Sequence, residues 1–341
     1  MLFDYISLAG GLVVLIIAGD VLVRGSVGIA QRLGIPNLVI GLTIVAFGTS
    51  APELVISLKA ALEDAGGIAI GNVVGSNIAN VLLVLGLPAL IAATPCGEAG
   101  ATRNALFMVA VTVVFIGICF FTPIGLLDGV ALLCLLAMFL AASTITAQRH
   151  RKAQKKIAAA SAGAAVADTG VDADLGAEDA LDDVEDVPDS VWIALVYIVL
   201  GLVGLPLGAH FTITGATDIA MHWGVSEAVI GLTVIALGTS LPELATTVMA
   251  AIRQHGAVAI GNVIGSNIFN LLAIIGITAV VVPIDVPPEV LKLDVWVMLA
   301  CAVLLAFLAA YRICLNKISG LAMTAAYAFY ITTVYMLGNV S

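Results

Sequence analysis

The chain has 341 residues, of which 61% are hydrophobic and 11% charged, against roughly 25% charged residues in a soluble globular protein. That balance, with a mean hydropathy of +1.16, excludes the two soluble domains that length alone suggests. The net charge of −10 is local, because ten of the 23 acids (Asp168, Asp172, Asp174, Glu178, Asp179, Asp182, Asp183, Glu185, Asp186 and Asp189) share one tract without Lys or Arg; elsewhere 13 acids face 13 bases, and no basic patch with interleaved aromatics exists to bind nucleic acid.

In chain order, apolar runs fall near residues 2–30, 36–62, 68–94, 104–122 and 124–147. Each is long enough to cross a bilayer, which takes about 20 residues. The opening MLFDYISLAG lacks a basic leader and a small-residue cleavage site, so it reads as a retained first span. Residues 148–156 are basic (QRHRKAQKK), and an Ala/Gly-rich acidic tract then runs to Asp189. Such a composition buries no core, which predicts a disordered linker over 148–189. Five more runs follow near 190–220, 226–253, 257–283, 292–311 and 318–338. The expected fold class is an all-α membrane protein of ten transmembrane helices, in units 1–147 and 190–341. The cysteines (Cys96, Cys119, Cys134, Cys301, Cys314) form no CxxC and read as small hydrophobes within apolar runs.

An internal repeat organises the ten runs. Gly41 to Leu54 reads GLTIVAFGTSAPEL and Gly231 to Leu244 reads GLTVIALGTSLPEL; Ala69 to Asn80 reads AIGNVVGSNIAN and Ala259 to Asn270 reads AIGNVIGSNIFN. The offset is 190 residues for both blocks (231 − 41 and 259 − 69). Five spans per half is an odd number, so the second copy enters the membrane from the opposite side, the arrangement of secondary transporters with a site at the repeat interface. Charge placement agrees. With the N-terminus outside, Arg24, Arg32, Arg103, Arg149, Arg151, Lys152, Lys155, Lys156, Arg253, Arg312 and Lys317 fall at cytoplasmic ends, and Lys59 and Lys292 outside.

The repeated GTSxPE block carries the chemistry. Pro52 has no amide hydrogen, so the helix is predicted to kink or unwind around Ala46 to Ser50, exposing carbonyl oxygens at membrane depth. Thr49 and Glu53 are four residues apart and share a face, with Ser50 beside them. Ala236, Thr239, Ser240 and Glu243 repeat this set. Ser76 and Asn80, and Ser266 and Asn270, are likewise four apart. All these ligands are oxygens, which suits calcium and not a typical zinc site. Two carboxylates neutralise one divalent or two monovalent cations, the equivalence that exchange requires. Gly71, Gly75, Gly261 and Gly265 would let helices approach closely. An intramembrane carboxylate behind a helix break, found twice, reads as a functional site.

At these residues the sequence resembles the cation/calcium exchanger superfamily, specifically its prokaryotic sodium/calcium exchanger branch. The paired GTSxPE and GNxxGSN blocks look like that family's two α-repeats, and the resemblance covers essentially all ten spans. It implies a secondary antiporter exchanging calcium for sodium in the prokaryotic inner (plasma) membrane, functional as a monomer, with lipid as its surroundings and no cofactor. By the resemblance, Glu53 and Glu243 are the main calcium ligands, assisted by Thr49 and Thr239. Sodium sites use Ala46, Ser50, Ser76, Ala236, Ser240 and Ser266, with Asn80 beside the central position. The family alternates access by sliding its first and sixth spans across the rest. Asn270 stands where some members carry Asp, and its neutrality argues against potassium dependence.

The alternative within transporters is a proton-coupled or broader divalent-cation exchanger. An intramembrane hydrolase would use Glu53 and Glu243 as an acid–base pair, but no activated nucleophile accompanies them, so no enzymatic activity is expected. Asp20 and His210 occupy equivalent positions. The structural reading pairs Asp20 with Arg24 one turn along and hydrogen-bonds His210 to backbone. Asp218 and Glu227 read as solvated loop acids.

Overall fold

The computed structural model describes residues 2–165, 187–188, 190–224 and 236–338. All ten acids of the tract from Asp168 to Asp189, Glu227, and Gly231 to Ile235 of the second repeat lie outside the described residues; of the linker expected to be disordered over 148–189, residues 148–165 are helical. The chain is mainly helical. Among the described residues seven helices are long and apolar enough to cross a membrane, or eight with a bent pair counted as one span.

Helix α1 (Leu2–Leu33) precedes α2 (Asn37–Thr49) and α3 (Ala51–Leu62), which are bent by 44° at Ser50. Pro52 sits in the first turn of α3, where its missing amide costs no helical hydrogen bond. The expected kink is therefore present and one residue wide, without unwinding: Ala46–Thr49 stays a helical turn. A further distortion lies upstream, as a π-helical turn over Gly41–Val45. Helix α4 (Gly66–Ile91) carries a second π-turn at Asn80–Val84. Next come strand β1 (Thr94–Pro95), α5 (Ala101–Cys119) and α6 (Leu126–Ala165), which continues past its expected end at residue 147. In the second half, α7 (Val191–His222) is followed by α8 (Ala236–Thr239), α9 (Leu241–Ile252) and α10 (Gly256–Val281), with a π-turn at Asn270–Ile274. The chain ends in α11 (Pro288–Lys292), α12 (Asp294–Ala310), β2 (Cys314–Leu315) and α13 (Lys317–Gly338).

Helices α4 and α10 form the centre: 72% and 89% of their apolar windows are buried, against 22–44% in the other five long helices. They carry apolar residues around their whole circumference, the pattern of a helix with neighbours on every side. The main core joins Ile70, Val74, Ile78, Met108, Phe115, Ile264 and Leu305 across α4, α5, α10 and α12.

A second cluster holds α1, α7 and the start of α10 together through Leu15, Leu22, Val27, Ile198, Leu205 and Val258. Helices α1 and α7 run antiparallel and nearly backbone to backbone. A Cβ at Gly11 would meet the Thr212 amide nitrogen at 2.5 Å, and one at Gly25 the Ala194 carbonyl oxygen at 2.7 Å. Gly19 faces Ala245 of α9 at 3.1 Å, so the pair also lies directly on the core. Two backbone links map onto one another by the 190-residue offset (284 − 94 and 314 − 124) to within one residue: Thr94 pairs with Leu315, and Ile124 bridges Ile284.

Candidate ion-binding site

Glu53 opens α3 and Glu243 opens α9, each in the first turn after a break, where the helix dipole favours negative charge. Both are buried, at 1% and 0% exposure. The Ser50 hydroxyl donates to Glu243 Oε1 at 3.2 Å, across the two halves of the chain. The two carboxyl groups lie near enough for the charge of one to act on the other.

Thr49 is fully buried, with its hydroxyl 3.3 Å from the Ala46 carbonyl, 3.3 Å from Asn262 Oδ1 and 3.4 Å from Ser266 Oγ. The Ala46 carbonyl also accepts the Ser50 amide at 3.1 Å, so it is not the free oxygen that unwinding would have produced. Thr239, Ser240, Ser76 and Ser266 are all buried. Ala236 begins α8, and its side chain lies outside the described residues. Asn80 and Asn270 start the two π-turns of α4 and α10 and are buried at 1% and 0% exposure. A π-turn widens the helix and is frequent at functional sites.

Among the described residues, Glu53 Oε2, Glu243 Oε2, Asn80 Oδ1, Asn270 Oδ1 and Ser240 Oγ are buried without a hydrogen-bond partner. An unsatisfied buried polar group costs about 1–3 kcal/mol. Four of these five can act only as acceptors while the glutamates are ionised. That donor set fits a hard cation, which takes about six to eight oxygens if it is calcium. No group of three or more His, Cys, Asp or Glu side chains occurs among the described residues, so hydroxyls, amides and main-chain oxygens must complete any coordination shell.

Four asparagines escaped the residue-by-residue reading. Asn72 donates to Ser57 Oγ at 2.9 Å and lies 3.3 Å from the Glu53 carbonyl; Asn262 donates to Thr247 Oγ1 at 3.1 Å and lies 3.4 Å from the Glu243 carbonyl. They tie each acidic helix to its neighbour. Asn77 and Asn267 hydrogen-bond to Asn270 and Asn80, each at 3.0 Å. The signal was available, since all four lie inside the repeated AIGNVxGSNIxN block.

The glycine expectation holds on one copy. Cβ atoms at Gly261 and Gly265 would meet backbone of residues 38–42 at 2.7 Å. Gly71 and Gly75 meet nothing within 4 Å among the described residues. Asp20 pairs with Arg24 at 3.7 Å as expected, and also with Arg253 at the end of α9, a partner that sequence spacing could not supply. His210 lies on an exposed face beside Phe211, with ring centroids 5.8 Å apart, rather than turned inward to backbone.

Residues 3–145 and 193–336 match the family model described as sodium/calcium exchanger protein. The chain belongs to the sodium/calcium exchanger family. This exchanger is 34% identical over 336 residues to CaxA of Alkalimonas amylolytica, named among antiporters, with 97% of this chain and 98% of that one covered. It is 32% identical over 314 residues to the sodium/calcium exchanger MaX1 of Methanosarcina acetivorans, covering 89% and 90%. It is also 32% identical over 308 residues to the inner membrane protein YrbG of Escherichia coli, covering 90% and 89%. Among solved structures, the sodium-calcium exchanger NCX_Mj soaked with sodium and strontium superposes with a TM-score of 0.78, at 29% identity, covering 97% and 98%. The exchanger is an integral multi-pass membrane protein and a cation/calcium antiporter, from a transporter rather than an enzyme family.

Proposed function

We propose that the protein exchanges calcium for sodium by alternating access at a single midplane site between two inverted five-helix repeats. The supporting observation is the contact of Ser50 with Glu243 at 3.2 Å, which joins the two GTSxPE breaks into one buried pocket. Unpartnered oxygens of Glu53, Glu243, Ser240, Asn80 and Asn270 are buried at the same two breaks and π-turns. Glu53 and Glu243 hold the calcium ion, with Thr49 and Thr239 beside them. Sodium ions use Ser50, Ser240, Ser76, Ser266 and the main chain at Ala46 and Ala236, and Asn80 and Asn270 border the centre.

In this reading residues 1–147 and 190–341 form the two repeats, each of five spans, and residues 148–189 connect them on the cytoplasmic side. The antiparallel α1–α7 pair and the backbone links at the 190-residue offset support the inversion. Two carboxylates balance one calcium or two sodium ions. Empty and ionised, they would carry uncompensated charge at membrane depth, which costs several kcal/mol or more. Loaded states therefore cross and the empty one does not. One protomer contains the whole site, so a monomer suffices.

Calcium uptake into proteoliposomes, driven by an outward sodium gradient and saturable in calcium, is the expected result. Uptake driven only by a pH gradient would move the assignment to proton coupling. Flux indifferent to every counter-ion gradient would mean a channel.

A further inference from the structure

The amide network between α4 and α10 has a fixed polarity. Asn77 Nδ2 lies 3.4 Å from the main-chain carbonyl of Asn267, a group that only accepts. That contact sets the orientation of the Asn77 amide and turns its Oδ1 toward Asn270, whose Nδ2 donates to it at 3.0 Å. One N–H of the Asn270 amide is thereby used, and its Oδ1 is left buried without a partner. At the 190-residue offset the acceptor that recurs is a methionine sulfur: Asn77 Nδ2 also lies 3.6 Å from Met298 Sδ, and Asn267 Nδ2 lies 3.5 Å from Met108 Sδ. Asn267 Oδ1 accepts Asn80 Nδ2 at 3.0 Å, and Asn80 Oδ1 is left unpartnered. All four side chains are buried.

We propose that Asn77 and Asn267 are positioning residues that aim the carbonyl oxygens of Asn270 and Asn80 at the transported cation and keep the centre of the site neutral. This rests on the antiport reading given above. A terminal amide is nearly symmetric in shape, and a half-turn about its Cβ–Cγ bond presents NH2 in place of C=O. The NH2 end repels a cation. An acceptor behind each amide removes that orientation, so each asparagine reaches the ion as an oxygen ligand only. The polarity also discriminates at position 270. A carboxylate there would set its oxygen against Asn77 Oδ1, and reversing Asn77 would press that oxygen onto the Asn267 carbonyl. The network is matched to a neutral amide, and the charge of the pocket comes from Glu53 and Glu243.

The test is a double-mutant cycle in proteoliposomes, reading the calcium concentration for half-maximal sodium-driven uptake. Asn77→Ala is expected to raise it about tenfold, the effect of one buried hydrogen bond to a ligating group. Asn270→Ala is expected to raise it at least as much, and the double variant no further, because Asn77 acts through Asn270. A merely structural role would give additive losses. Wild-type half-saturation in Asn77→Ala, or additivity, overturns the proposal. The Asn267→Ala and Asn80→Ala cycle asks the same question at the other amide and serves if Asn77→Ala does not survive purification. Absence of sodium-driven uptake in the unsubstituted protein would fail the antiport reading instead. Calcium binding by calorimetry on the same variants would then still decide the coupling.

Discussion

Gly265→Ala tests whether close packing of α10 on α2 is what assembles the ligand set. The added Cβ would lie 2.6 Å from Ala46 Cβ and 2.7 Å from the Leu42 carbonyl oxygen. Ordinary contact needs about 3.5 Å, so the helices must part by about 0.8 Å. Most of the opposing atoms are backbone, so no side-chain rotamer relieves the clash. Overpacking of this kind costs about 1–3 kcal/mol. Thr49 Oγ1 and Ser266 Oγ, now 3.4 Å apart, would separate to about 4.2 Å, beyond hydrogen-bond range. The expected result is a lowered melting temperature together with a calcium half-saturation raised about tenfold, the effect of one weakened polar contact. Gly117→Ala is the control, since its Cβ meets nothing within 4 Å among the described residues. Wild-type uptake and melting in Gly265→Ala would refute the argument that this interface sets the site.

Other substitutions separate the remaining roles. Glu53→Gln and Glu243→Gln each leave one carboxylate for a divalent ion, and sodium-driven calcium uptake is expected to fall to the level of empty vesicles; substantial residual uptake would remove either side chain from the calcium site. Asn270→Asp is expected to keep calcium transport alive while changing its monovalent-ion dependence, measured by exchanging sodium for potassium across the vesicle, and an unchanged dependence would count against a neutral centre. Arg253→Gln strips Asp20 of its partner on α9. That pair is half-buried, so screening limits the loss to about 1 kcal/mol, read as a lower melting temperature whose deficit shrinks in high salt. An unaltered melting temperature would show that Arg24 alone satisfies Asp20.

Much of the architecture was legible because its causes are local. Apolar runs marked the long helices, and Pro52 marked a break that the structure places at Ser50, between α2 and α3. Helix α6 overran its expected end at residue 147 and continues to Ala165, since AAASAGAA is rich in the strongest helix former. The π-turns at Gly41–Val45, Asn80–Val84 and Asn270–Ile274 were not legible. Nothing in their composition distinguishes them from an ordinary α-turn.

By itself the sequence determined that this chain lives in a membrane, that it repeats itself at an offset of 190 residues, and that each repeat carries one glutamate behind a proline break. Hydropathy, proline geometry and periodicity act over a few residues, so they can be read from neighbours along the chain. Only the tertiary structure decided that Ser50 would meet Glu243, that Arg253 would reach Asp20, and that Asn77 would face Asn270 with its oxygen rather than its nitrogen. Those contacts join residues 193, 233 and 193 positions apart. Their geometry depends on how closely glycine-bearing helices approach and on which carbonyl lies behind an amide, and neither is encoded near the residues concerned.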